Sequence, residues 1–180
     1  ALQPLHGQAM FQGPYEALKE VVEGEVFLGI PEQREKENLG ELRDPGVSPL
    51  VIAYDPAQDP FVALLKELPQ DRKGPWVLVT GTLPFLKAQT LQEVLKRHSD
   101  GNTFASVLIV GGPQEDSNPA LRFGGMVLGD FAPLPQASSL KELLSTWESE
   151  GRSIEYVKLE PPDGVDVSDG EEFLQAFDQA

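Results

Sequence analysis

Carboxylates are the groups this sequence offers most freely for chemistry, with 29 acidic residues against 14 basic ones. Asp163, Asp166 and Asp169 recur every third residue. That pattern invites a metal reading, because hard divalent cations take oxygen ligands. The spacing does not match a calcium loop, which places acidic ligands at alternate positions and closes on a glutamate. Turn and N-cap roles account for the three aspartates. Asp55 and Asp59 stand directly before Pro56 and Pro60 and read as turn residues that can also face a cleft. There is no cysteine, which excludes disulfides, thiolate metal sites and cysteine nucleophiles. His6 and His98 are far apart, form no metal-ligand spacing, and read as surface or turn residues rather than general bases. Ser138-Ser139 lacks the G-x-S-x-G context of a nucleophile and reads as a helix start. Gly111-Gly112-Pro113 reads as a turn, since no helical pattern or basic residue follows to hold a phosphate. Gly124-Gly125 suits a β-bulge, the alternative being a close backbone approach to a ligand.

The chain of 180 residues is most simply one domain, residues 1–180, long enough to bury a core. Its apolar share of 40% is that of a soluble globular protein. A net charge of −15 repels phosphate backbones and anionic lipid, so neither nucleic acid nor membrane is an expected partner. No apolar run approaches the roughly 18 residues that span a bilayer. The first residues lack a signal-peptide layout. A cytoplasmic location is the expectation.

The elements that must position any site alternate in type. Residues 25–29, 50–54, 76–80 and 105–110 are short apolar runs, as in strands of a sheet covered on both faces. Residues 121–128 form a glycine-broken strand, and 154–159 alternate like an edge strand. Helical faces lie between them: Tyr15, Leu18 and Val22; Phe61, Leu64, Leu65 and Leu68; Leu91, Val94 and Leu95. Leu140, Leu143, Leu144 and Trp147 make the cleanest stripe, with a capping box at Ser139–Glu142 and a left-handed stop at Gly151. A last helix carries Phe173, Leu174 and Phe177, with Asp169 as its cap, and residues 33–45 read as a solvated loop or short helix. This order predicts an α/β fold: a doubly wound, mainly parallel sheet of about six strands with helices on both faces.

Several segments carry a family likeness. Leu5-His6-Gly7-Gln8-Ala9-Met10, Gly29-Ile30-Pro31, Asp59-Pro60-Phe61-Val62-Ala63-Leu64, Val77 to Leu86, Asn118-Pro119-Ala120-Leu121 and Asp166 to Phe173 follow one another in the family's order. Together they resemble the MobA-type nucleotidyltransferases, which attach GMP to molybdenum cofactor, within the nucleotide-diphospho-sugar transferase fold. In that family the likeness to Leu5–Met10 follows directly on a first strand, a loop L-A-G-G-x-S-x-R-M-G and a lysine. The resemblance therefore implies a fold whose first strand and phosphate-gripping loop are missing from this chain.

The resemblance also locates a cleft. Thr82-Leu83-Pro84 matches the family's D-M-P turn, Asp59 its nucleotide-proximal glycine, and Asp166 and Ser168 its closing metal-binding motif. Nucleotidyl transfer needs donors that grip the triphosphate and Mg²⁺ to neutralise developing charge. A threonine hydroxyl in place of a carboxylate, and a serine in place of an asparagine, are weaker Mg²⁺ ligands, and a carboxylate at Asp59 repels phosphate. The expectation is a non-catalytic member without catalytic or metal-binding residues and without a cofactor. Its cleft is vestigial, built from Asp59, Thr82, Leu83, Pro84, Asp166 and Ser168, and binds a protein partner or, weakly, a nucleotide. The partner includes self-association, one route being strand addition into the sheet. The alternative is a Mg²⁺-dependent NTP transferase of the guanylyltransferase or sugar-phosphate type. It would use carboxylates such as Asp55, Asp130 or Asp166 for the metal.

Overall fold

In a computed structural model of the chain, residues 4–5, 8–9, 11–31, 50–68, 74–110, 122–129 and 134–166 are described. The elements in chain order are β1 (Pro4–Leu5), β2 (Gln8–Ala9), α1 (Gln12–Val21), β3 (Phe27–Pro31), β4 (Leu50–Tyr54) and α2 (Pro60–Glu67). Then come β5 (Trp76–Val79), α3 (Ala88–Asp100), β6 (Ala105–Val110), β7 (Arg122–Leu128), α4 (Leu140–Ser149) and β8 (Ile154–Lys158). The expected last helix, residues 33–45, and the turns at Gly111–Pro113 and Asn118–Leu121 lie outside the described residues. The chain divides into two compact units, one made of Ala1–Glu23, Pro75–Gly129 and Ile154–Ala180, the other of Gly24–Gly74 and Asp130–Ser153.

The first unit is built on a four-stranded sheet of order β5-β7-β6-β8. β6 and β8 are parallel, and β7 runs antiparallel to both β5 and β6. One reversed strand thus interrupts a sheet whose other three strands share a direction. An apolar run shows that a strand is buried but not which way it points, so the reversal leaves no mark in the sequence. β6 and β7 are buried along most of their length. Against them pack Leu91 and Val94 of α3, with Leu83, Leu86, Val157 and Leu159 in the same cluster and Ala17 of α1 beside them. Full burial of a leucine such as Leu83 or Leu91 stabilises by about 1.5–3 kcal/mol. α3 stops at Gly101 and Asn102, the latter at φ 45°, a left-handed position that asparagine tolerates. β1 and β2 form a small antiparallel pair.

In the second unit β3 and β4 pair in parallel, from Phe27 opposite Leu50 to Pro31 opposite Tyr54. α2 packs on β4 and contacts α4. Gly29 makes room for α2, since a Cβ would stand 2.5 Å from Leu64 Cδ2 and the Leu64 side chain would have to shift. α4 buries the four residues of its predicted stripe. Ser139 Oγ accepts from the Glu142 N–H at 3.2 Å. The returning arm of the capping box goes one residue earlier than the motif predicts: Glu142 accepts from the Ser138 N–H at 2.8 Å and its hydroxyl at 2.7 Å. These two donors, the N–H first, hold the Glu142 carboxyl below its usual range. Gly151 stops the helix at φ 77°, as expected.

Candidate functional site: the carboxyl edge of the four-stranded sheet

Because β5, β6 and β8 share a direction, their carboxyl ends lie along one edge of the sheet, where open α/β folds bind ligands. The turn Thr80-Gly81-Thr82-Leu83-Pro84 leaves β5 at that edge. Three contacts set its path. The Thr80 N–H donates to the Gly124 carbonyl at 2.9 Å. Gly124 is the extra residue of a β-bulge, since Leu108 faces Gly125 and Ile109 faces Phe123. The bulge reading of Gly124-Gly125 is therefore met, and the bulge aims its carbonyl at the site turn. On the other side Gly81 leaves a Cβ position only 3.2 Å from Phe11 Cβ, and a Cβ on Gly13 would meet the Pro84 carbonyl at 2.3 Å. The start of α1 thus lies hard against the turn. Leu83 is completely buried, while Thr82 and Pro84 are half-buried. The Thr82 and Thr80 hydroxyls are hydrogen-bonded to each other at 2.9 Å.

The segment after β8 leaves the same edge from the other outer strand, roughly 14 Å away at ladder spacing. It returns toward the turn. Leu159 joins Leu83 and Leu86 in one apolar cluster, and Asp163, itself buried, accepts a hydrogen bond from the Thr90 hydroxyl in the first turn of α3. Lys87, just before that helix, places its Nζ 4.0 Å from Asp163. α3 has no side-chain cap of its own, so a carboxylate from far along the chain meets its positive end. Asp163 is thus more than a turn residue. Neither Thr90 nor Lys87 carries a sequence signal for this role, because a contact across 73 positions has no local pattern. Asp166 is buried in the same segment. Ser168, Asp169 and Asp130 lie outside the described residues, as does His6.

Asp59 belongs to the second unit and has a definite local task. One oxygen accepts from the N–H groups of Phe61 at 3.0 Å and Val62 at 3.2 Å, capping α2. The other accepts from the N–H of Leu140, the first residue of α4, at 3.1 Å. One carboxylate thus serves two helix starts. Asp55 accepts from the Ala57 N–H at 2.9 Å, the turn expected of it.

His98 departs from expectation. It is not a surface or turn residue but lies buried in the last turn of α3, 7% exposed, with Nδ1 3.0 Å from Ser106 Oγ and 3.1 Å from Thr103 Oγ1. Its spacing from Leu91 and Val94 puts it on the helix's inward face, a signal present in the sequence. Burial holds its pKa below 6.5, with Glu155 pulling the other way.

The donor set among the described residues is poor for a resident metal. Among the described residues no three His, Asp or Glu side chains are grouped so as to hold one. Thr82 offers a hydroxyl already bonded to Thr80, and Asp163 is engaged by Thr90. So engaged, these two residues do not assemble a site for a divalent cation. Among the described residues no helix is long and apolar enough to cross a membrane.

Fold and edge together place the molecule among proteins with the mixed α/β fold of nucleotidyltransferases. The chain is similar in structure to Rv0371c of Mycobacterium tuberculosis, solved in complex with manganese, at a TM-score of 0.69 and 12% identity over 99% of this chain and 91% of that one. It is similar to 4-diphosphocytidyl-2C-methyl-D-erythritol synthase of Anaerococcus prevotii, at a TM-score of 0.66 and 12% identity over 98% and 92%. A third likeness, at a TM-score of 0.60 and 14% identity over 99% and 90%, is to CMP:2-keto-3-deoxy-manno-octonic acid synthetase complexed with CTP. No family model matches the sequence. No curated protein matches it either.

Proposed function

We propose that this chain is a MobA-like nucleotidyltransferase-fold protein that keeps the scaffold and no longer transfers nucleotides. It binds a protein partner, or a nucleotide weakly, at the vestigial cleft that the family resemblance implies, and works in the cytoplasm. The observation that carries this reading is the Asp59 carboxylate. At the position matching the family's nucleotide-proximal glycine, its two oxygens hold three backbone N–H groups from two helix starts. Helix N-termini grip phosphate through such donors. A fixed internal anion satisfies them and repels a second one. Thr82, paired with Thr80 where the family has an aspartate, supports the same conclusion.

The alternative is a Mg²⁺-dependent transferase, the reading to test because two proteins of similar fold were solved with manganese and with CTP. A thermal-shift and calorimetric titration with GTP, CTP and UTP, with and without Mg²⁺ or Mn²⁺, separates the two. The expected result is no metal-dependent stabilisation by any of the three at micromolar concentration. Metal-dependent stabilisation by one of them, with pyrophosphate release on adding an acceptor, overturns the non-catalytic reading.

A further inference from the structure

α3 is held at both ends. At its start Thr90 is tied to Asp163. At its end the fastening is a polar triad of one imidazole and two hydroxyls, His98 and Ser106 buried and Thr103 half-buried. His98 Nδ1 lies 3.0 Å from Ser106 Oγ on β6 and 3.1 Å from Thr103 Oγ1. Thr103 donates its own proton to the His98 carbonyl at 3.2 Å, and its oxygen lies 3.3 Å from Ser106 Oγ. Ser106 is completely buried. The end of β7 closes the other side: His98 Nε2 is only 3.6 Å from where a Cβ on Gly129 would stand.

We propose that His98, Thr103 and Ser106 form a proton-sensitive latch that fastens the end of α3 to the start of β6 at neutral pH and loosens on mild acidification. The proposal stands whether or not the chain binds a nucleotide. A neutral imidazole fits a buried position beside two hydroxyls and a glycine, and an imidazolium there loses hydration with no carboxylate hydrogen-bonded to it among the described residues. Among the described residues the charged groups around it are few. Glu155 on β8 favours the protonated form, but its carboxylate is held by Arg97 at 2.6 Å. Arg97 itself and the exposed Asp100 lie on the same helix, whose C-terminal dipole also favours a cation. β6 contributes only Ser106, and Asp130, next to Gly129, lies outside the described residues. The balance favours the neutral form, since burial is the larger cause and lowers the pKa. The unfolded chain therefore takes up the proton first. Stability is lost as pH falls below 6.5, and the loss levels off once pH passes the lowered folded value.

The sequence has two histidines, so imidazole NMR of the whole chain, with His6→Gln for assignment, follows His98 directly. Amide exchange, corrected for intrinsic rates, reads the latch across residues 95–106. The expected result is a His98 midpoint below that of a free imidazole. In the same interval exchange protection falls with pH, by up to roughly tenfold per unit, the limit for one proton. In His98→Gln that dependence is absent, and the wild-type titration decides the question by itself if this variant does not fold. A His98 that titrates like a free imidazole, or protonates with no change in protection, overturns the proposal.

Discussion

Asp59 shows how much one residue can decide. An aspartate before a proline is a good N-cap in any sequence, because its short carboxylate reaches the N–H groups of the second and third helical positions. The sequence does not reveal that its second oxygen reaches Leu140, 81 positions later. That bond turns a local cap into a junction between α2 and α4. Asp59→Ala is expected to cost about 1–2 kcal/mol, the range of a lost N-cap. Asp59→Asn should recover most of it, since an amide oxygen still accepts. Urea denaturation of the two variants checks this, and equal stability of Asp59→Ala and wild type would remove the capping role. The opposite case is Asp163. Its threefold spacing with Asp166 suggested a metal, yet it answers the uncapped start of α3 through Thr90.

At the scale of elements, helices and strands were the most legible part. The α4 stripe, its serine cap and its glycine stop are local patterns, and all three are in place. The strand runs matched to within two residues, β3 being the largest shift. Strand direction was not legible, because burial on both faces produces the same apolar run in either orientation. The paired glycines of β7 tie the two levels together. A Cβ on Gly125 would stand 2.4 Å from the Leu78 carbonyl, and one on Gly124 would meet the Val110 side chain at 2.5 Å. Backbone cannot yield as a side chain can. Gly125→Ala should therefore destabilise by about 1–3 kcal/mol or more through overpacking, and Gly124→Ala by less. Thermal melts of the pair give the order, and the reverse order contradicts the assigned bulge. Since Gly124 also holds Thr80, its substitution should disturb the site turn at smaller cost to the fold.

For the whole molecule, the net charge of −15 is the dominant long-range property. Fluorescence anisotropy with short duplex DNA, and co-sedimentation with anionic vesicles, are expected to show no binding even at low salt. Binding that weakens as salt rises would mean a basic patch hidden by the overall charge. The amino-acid order by itself determined the α/β class, the helices with their caps, the missing thiol chemistry and the acidic field. These depend on composition and on contacts within a turn or two of the chain. Only the tertiary structure decided that β7 is reversed, that the Thr80–Pro84 turn rests between a bulge and the start of α1, and that His98 is buried with two hydroxyls. It also decided which helix starts the aspartates serve. All but the His98 group join segments far apart along the chain; for His98 the helical spacing marks the inward face, and the structure supplies the two hydroxyl partners, five and eight positions on. Such contacts are chosen by packing and by the need to satisfy buried polar groups, and neither leaves a periodic trace in the sequence.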